Sequence, residues 1–191
     1  MQPLLNIAVR AARRAAEVII RSLGRLDSLE VSSKGRNDFV TEVDRAAEAE
    51  IIATIRRAYP DHAFLGEESG ASGPAGAIEW IIDPLDGTKE FISKNGEFTV
   101  NIALVEHGEP VAGVVYAPAL KRIFWGEKGV GAAHGKVDGD VVSAWHRLAV
   151  RKLPAEGATV VALTNFVQSP LMMLALPTWL MLLKSLRPCF V

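Results

Sequence analysis

A chain of 191 residues, 49% of them hydrophobic, has apolar material for one well-packed domain or two small lobes. With 21 basic and 22 acidic residues its formal charge is −1, which excludes a global field toward nucleic acid or an anionic membrane, and no nucleic-acid partner is expected. One cysteine, Cys189, excludes an internal disulfide and suits a reducing, cytoplasmic setting.

Residues 3–22 repeat Leu4, Ile7, Ala8, Ala11, Ala12, Ala15, Val18 and Ile19 at helical spacing, which predicts a first helix ended by Gly24. Arg10, Arg13 and Arg14 interrupt it before an apolar run of signal-peptide length develops, so the segment reads as mature structure with its arginines in solvent. Ser32 to Asp38 is polar and reads as a mobile loop, in which Lys34 either reaches an anion or, as loop lysines ordinarily do, only solubilises. A second helix is expected to open at Thr41, with Asp44 three residues on as in a capping box. Its apolar stripe is Val43, Ala47, Ile51 and Ile55, and Tyr59-Pro60 ends it. Asp44 carries two readings, a first-turn charge favoured by the helix dipole or a group that orients a hydroxyl or a water.

A short strand, Ala63-Phe64-Leu65, runs into Gly66-Glu67-Glu68-Ser69-Gly70, and a flexible turn over residues 71–77 leads to the most informative stretch, Trp80-Ile81-Ile82-Asp83-Pro84-Leu85-Asp86-Gly87-Thr88. Trp80 to Ile82 reads as a buried strand that Pro84 ends by fixing φ and withholding a ladder donor. Two aspartates at a strand end, a glycine that lets a ligand approach the backbone, and a hydroxyl supply the oxygens that a hard cation such as Mg²⁺ takes. The helical turn expected at residues 89–92 would direct N–H groups at a phosphate.

Further strands are expected at residues 97–105 and 110–116, joined at His107-Gly108, and near 123–126, 129–133, 148–150 and 159–163. Strands in series beside two helices predict an α+β fold, with the helices packed on a largely antiparallel sheet. His62, His107, His134 and His146 show no metal-ligand spacing and read as turn or surface residues. Thr164 to Val191 contains no Asp or Glu, and its apolar run, Leu171 to Leu183, is broken by Pro177 and falls short of the about 20 residues of a spanning helix. Peripheral association with a membrane surface is the one membrane role this segment suggests.

Thr41-Glu42-Val43-Asp44, Gly66-Glu67-Glu68 and Asp83-Pro84-Leu85-Asp86-Gly87-Thr88 together resemble the inositol monophosphatase superfamily of Mg²⁺-dependent, Li⁺-sensitive phosphatases. Lys89-Glu90-Phe91-Ile92, followed by Asn95 to Leu104, resembles its 3′(2′),5′-bisphosphate nucleotidase branch, the bacterial CysQ proteins. The resemblance implies a layered α+β sandwich. It implies that Glu67, Asp83 and the Leu85 carbonyl bind one Mg²⁺ and that Asp83 and Asp86 share a second, of two or three ions in an intact site. It further implies that Thr88 and Asp44 position and deprotonate the attacking water, that Gly87 and Thr88 N–H groups cradle the phosphate, and that Lys34 and Glu68 support them. The implied substrate is adenosine 3′,5′-bisphosphate or 3′-phosphoadenylyl sulfate, in sulfate assimilation, with inositol phosphates as the alternative. A non-catalytic remnant that binds metal weakly, or an interaction module that only associates with partners, is the alternative of another class.

Family members continue through an α/β lobe with a Trp-Asp pair that completes the second metal site, whereas here no carboxylate follows Glu156 and Trp179 precedes Leu180. The resemblance therefore implies a phosphatase N-terminal lobe over residues 1–163, followed at 164–191 by an atypical apolar tail of the kind a frameshift or truncation produces. An exposed sheet edge would then favour self-association into homo-oligomers.

Overall fold

The computed structural model describes residues 3–26, 33–139 and 141–149. Two helices and a sheet account for most of them. Helix α1 (Pro3–Leu23) buries Leu5, Ile7, Ala8, Ala11, Ala12, Ala15 and Ile19, a stripe of the expected period in which small alanines allow close packing. Helix α2 (Ser33–Ala58) lies against it and buries Val40, Val43, Ala47, Ile51 and Ile55.

The start of α2 corrects two expectations. Residues 33–38 are helical rather than a loop, and Thr41 is interior to the helix rather than its first residue. The buried stripe already begins at Val40, and adding turns to an established helix avoids the cost of nucleation that weak formers such as Gly35 and Asn37 would otherwise face. Asp44 is therefore no first-turn charge, which removes its helix-dipole reading.

The strands are β1 (Ala63–Gly66), β2 (Gly70–Ser72), β3 (Ile78–Asp86), β4 (Thr99–Glu106), β5 (Glu109–Ala117), β6 (Arg122–Glu127), β7 (Gly131–Asp138) and β8 (Val141–Leu148). They form one sheet in the order β2-β1-β3-β4-β5-β6-β7-β8. Only the β1–β3 pairing is parallel, with Phe64 opposite Trp80. Helix α1 packs on β4 and β5, and α2 packs on β3. Val100, Ile102, Leu104, Val114, Tyr116 and Ile123 face these helices and close the core. The α+β, largely antiparallel architecture is as expected.

Alternate residues point to the opposite face of the sheet. There, paired residues form a row that crosses six strands: Asp83, Asn101, Val115, Phe124, His134 and His146. The last hairpin lies earlier than expected. Strand β8 ends at Leu148 instead of beginning there, because the turn at Gly139 (φ 54) returns the chain directly onto β7. His62 is a packing partner: it accepts a hydrogen bond from the Trp80 indole (3.0 Å) and stacks on Tyr59. No described helix is long and apolar enough to cross a membrane. The strand expected at 159–163, the apolar run at 171–183 and the tail 164–191 lie outside the described residues.

Candidate active site

The parallel pairing of β1 and β3 brings the ends of both strands to the same edge of the sheet. Gly66 lies opposite Ile82, and the Glu67 N–H donates to the Ile82 carbonyl (3.1 Å), which sets Glu67 beside Asp83. Strand β3 does not stop at Pro84. It runs on to Asp86, with the pairing shifting between Asp83 opposite Asn101 and Asp86 opposite Thr99. Pro84 sits in that irregularity, where its missing N–H costs the ladder nothing.

Gly87 then turns the chain into α3 (Thr88–Ser93). Its φ of 92 is left-handed, and a Cβ there would stand 2.9 Å from the Glu97 carbonyl oxygen. The neighbouring chain, not only a ligand, demands a glycine at this position. Thr88 Oγ1 donates to the Leu85 carbonyl at 3.4 Å, so the hydroxyl and the proposed carbonyl ligand lie together.

Helix α2 contributes Asp44 and, one turn further on, Glu48. Glu48 was missed in the sequence, where it looks like any helical glutamate. It is only 2% exposed, and its two carboxylate oxygens accept the N–H groups of Glu68 and Ser69, each at 2.9 Å. A Cβ on Gly66 would meet that carboxylate at 2.5 Å. Glu48 thus clamps the loop that carries Glu67 and Glu68, and Glu68 is further held by Arg45 at 3.2 Å. The signal that could have located it is the absence of a side chain at Gly66, which makes room for a neighbour's carboxylate. Lys34 lies in the first turn of α2 rather than in a loop.

Crowded carboxylates give this end of the sheet its electrostatic character. Burial, then Glu68, Glu67 and Glu48, push the Asp44 carboxyl up to about 8. Asp83 is raised well above the ordinary carboxylate range by burial, by Asp86 and Glu67, by a shared hydrogen bond with Glu67, and by Asp44. Asp86 reaches about 6: burial raises it most, the Asn101 amide (3.4 Å) and the Gly87 N–H oppose that, and Glu67 and Glu90 add to it. Asp44 Oδ1, Asp83 Oδ1 and the side-chain Oδ1 of Asn101 are buried with no hydrogen-bond partner.

Buried acceptors without donors, in mutually repelling carboxylates, are what a cation relieves, and an all-oxygen donor set suits a hard ion. The residues fit Mg²⁺ in chemistry. Among the described residues, however, no three Asp, Glu, His or Cys side chains converge closely enough to enclose an ion by themselves. A recess of about 250 Å³ between Leu4, Ile78, Val111 and Lys128 lies at the opposite end of β3 and has no part in this chemistry.

Buried, mutually repelling carboxylates gathered at the strand ends of a helix-backed α+β sheet are the donor chemistry of a hard-cation site. The chain belongs to the inositol monophosphatase family, whose profile matches residues 1–170. It is similar to the protein named Nus factor SuhB of Haemophilus influenzae, with 47% identity over 138 residues, 72% of this chain and 52% of that protein. The structure of the extragenic suppressor protein suhB from Bartonella henselae superposes with a TM-score of 0.61 at 39% identity, covering 69% of this chain and 51% of that one. CysQ from Bacteroides thetaiotaomicron superposes at 0.59 with 31% identity, over 78% of this chain and 58% of that one. The chain spans about half the length of the curated relatives it matches.

These likenesses do not single out the nucleotidase branch. The residues that suggested it are largely scaffold: Phe91, Phe98, Val100 and Ile102 are buried in the core, and Asn101 is 1% exposed beside Asp86. They report packing that is compatible with more than one substrate.

Proposed function

We propose that residues 44–88 form the N-terminal half of a Mg²⁺-dependent phosphomonoesterase site. The observation that carries this reading is the pair of buried, partnerless carboxylate oxygens on Asp44 and Asp83, set among Glu67, Glu68 and Asp86. Glu67, Asp83 and Asp86, with the Leu85 carbonyl, would hold two or three divalent ions. When bound, such ions neutralise phosphate oxygens and lower the pKa of water. The chain's own residues do the rest. Thr88 Oγ1 would orient the attacking water, and Asp44, whose Oδ1 has no hydrogen-bond partner, would accept its proton. The Thr88 N–H, with Gly87 beside it, faces the phosphate, Lys34 supplies a cation for it, and Glu48 keeps Glu67 in place.

The family membership supports a small phosphorylated polyol such as an inositol phosphate as substrate. Adenosine 3′,5′-bisphosphate, hydrolysed to AMP and phosphate in sulfate assimilation, is the second reading, favoured by the 89–104 segment and the likeness to CysQ. Phosphate release from both substrates, with Mg²⁺ and with or without Li⁺, separates them. Turnover by this chain alone is expected to be far below that of a full-length relative, because no carboxylate follows Glu156 to complete the second ion site. Mg²⁺ should still raise its melting temperature, and Asp83→Asn should abolish that rise; if it does not, the site reading fails. Stabilisation without phosphate release would instead support the non-catalytic, metal-binding reading.

Three coarser points belong to the same proposal. The division at 163/164 is tested by translating the other two frames beyond Thr164, where a family-like continuation is expected in one. A cytoplasmic location rests on the lone cysteine and on the absence of a spanning helix among the described residues. The exclusion of nucleic acid rests on the net charge of −1, against which stands the relative's name, Nus factor; RNA-binding anisotropy at low and physiological salt decides it.

A further inference from the structure

Two histidines twelve residues apart in sequence meet at the far end of the cross-sheet row. His134 on β7 is directly paired with His146 on β8, and the ring centroids are 5.2 Å apart with planes inclined by 32°. Two imidazoles that each give one nitrogen to a tetrahedral ion, with bonds of about 2.0–2.1 Å, hold their centroids about 5 Å apart. The observed separation matches that demand.

We propose that His134 and His146 form a two-ligand site for a borderline transition-metal ion, with Zn²⁺, Ni²⁺ and Cu²⁺ as the chemical class, which ties β8 to β7. Imidazole nitrogen selects these ions over Mg²⁺, so the site is chemically separate from the oxygen cluster. It is also distant: five strand spacings of about 4.8 Å put His146 about 24 Å from Asp83. The rings are prepared in different ways. Phe124, 5.7 Å from His134, restrains that ring on one side, while His146 is exposed and leaves an entry path. Burial, His146 and Arg122 together lower the proton affinity of His134, which keeps a lone pair available near neutral pH. Arg122 and Lys136 share this face and oppose a cation, and water must supply the remaining ligands. Those features define a weak, exchangeable site rather than a structural zinc. The competing account is a purely aromatic cross-strand contact that binds nothing.

The full 191-residue chain, in excess Mg²⁺ to hold the carboxylate cluster, is titrated with Zn²⁺ by calorimetry and with Cu²⁺ by electron paramagnetic resonance. Expected results are two-nitrogen hyperfine coupling on Cu²⁺, a melting temperature that rises with Zn²⁺, and a loss of affinity of roughly tenfold or more in His146→Gln, since the second ligand binds at high effective concentration. His146 is exposed, so that variant should keep the metal-free melting temperature; Asp83→Asn should bind Zn²⁺ like the parent chain. Absence of binding, Cu²⁺ without nitrogen coupling, or affinity indifferent to His146→Gln would each overturn the proposal.

Discussion

At Asp44 the fold spends stability on a charge. Its carboxyl titrates at about 8 in the folded chain against 3.8 ordinarily, so the folded state binds the proton more tightly than the unfolded one. The stabilisation from that proton is fully present below the unfolded value and is lost as pH rises through about 8. Without divalent ions, Asp44→Asn is therefore expected to raise the melting temperature more at pH 8 than at pH 5; equal shifts at both would contradict the electrostatic account. Glu48 is the opposite case, a buried carboxylate whose oxygens are both used. Removing it orphans two backbone N–H groups, so Glu48→Ala should cost about 2 kcal/mol or more in denaturant unfolding, with weakened Mg²⁺ stabilisation. Asp83, Asp86 and Glu67, which the structure gathers at one end of the sheet, stand out in the sequence because carboxylates at strand ends have a local signature. Glu48 could not, since its role exists only once α2 lies against the loop after β1.

At the scale of elements, the departures share a cause: local punctuation yielded to pairing. Pro84 looked like a stop, yet β3 continues because the register shift between Asp83 and Asp86 asks for no donor there. Pro84→Ala should accordingly leave the hydrogen-exchange pattern of β3 and β4 intact and cost only about 0.5–1 kcal/mol, the entropy regained by the unfolded chain. A larger loss with exposed β4 amides would mean that the proline shapes the strand. The strands from β4 to β6 were legible from runs of β-branched residues bounded by turns. Strand β8 begins before the apolar residues near Leu148 because the turn signal Asp138-Gly139 returns the chain at once, with Asp138 opposite Val141. The parallel placement of β1 beside β3 left no trace in spacing, and it is that placement which assembles the site.

Across the whole molecule, β8 is the last strand of the sheet among the described residues, with Val141 61% and Trp145 38% exposed. An open edge carrying apolar side chains is a template for another chain. Self-association that grows with protein concentration is the expected outcome in gel filtration with light scattering, and Trp145→Lys should reduce it; a concentration-independent monomer would exclude this edge as a contact.

The order of the elements along the chain has a consequence for synthesis. Helix α1 ends at Leu23, but the strands that cover its apolar stripe, β4 and β5, are finished only at Ala117. At about 5–20 residues per second, roughly 5–20 s pass between the two on the ribosome. Through that interval Leu5, Ile7 and Ile19 have only α2 to lean on. The nascent helix pair therefore carries an uncovered apolar stripe, and the β4–β5 hairpin is what covers it.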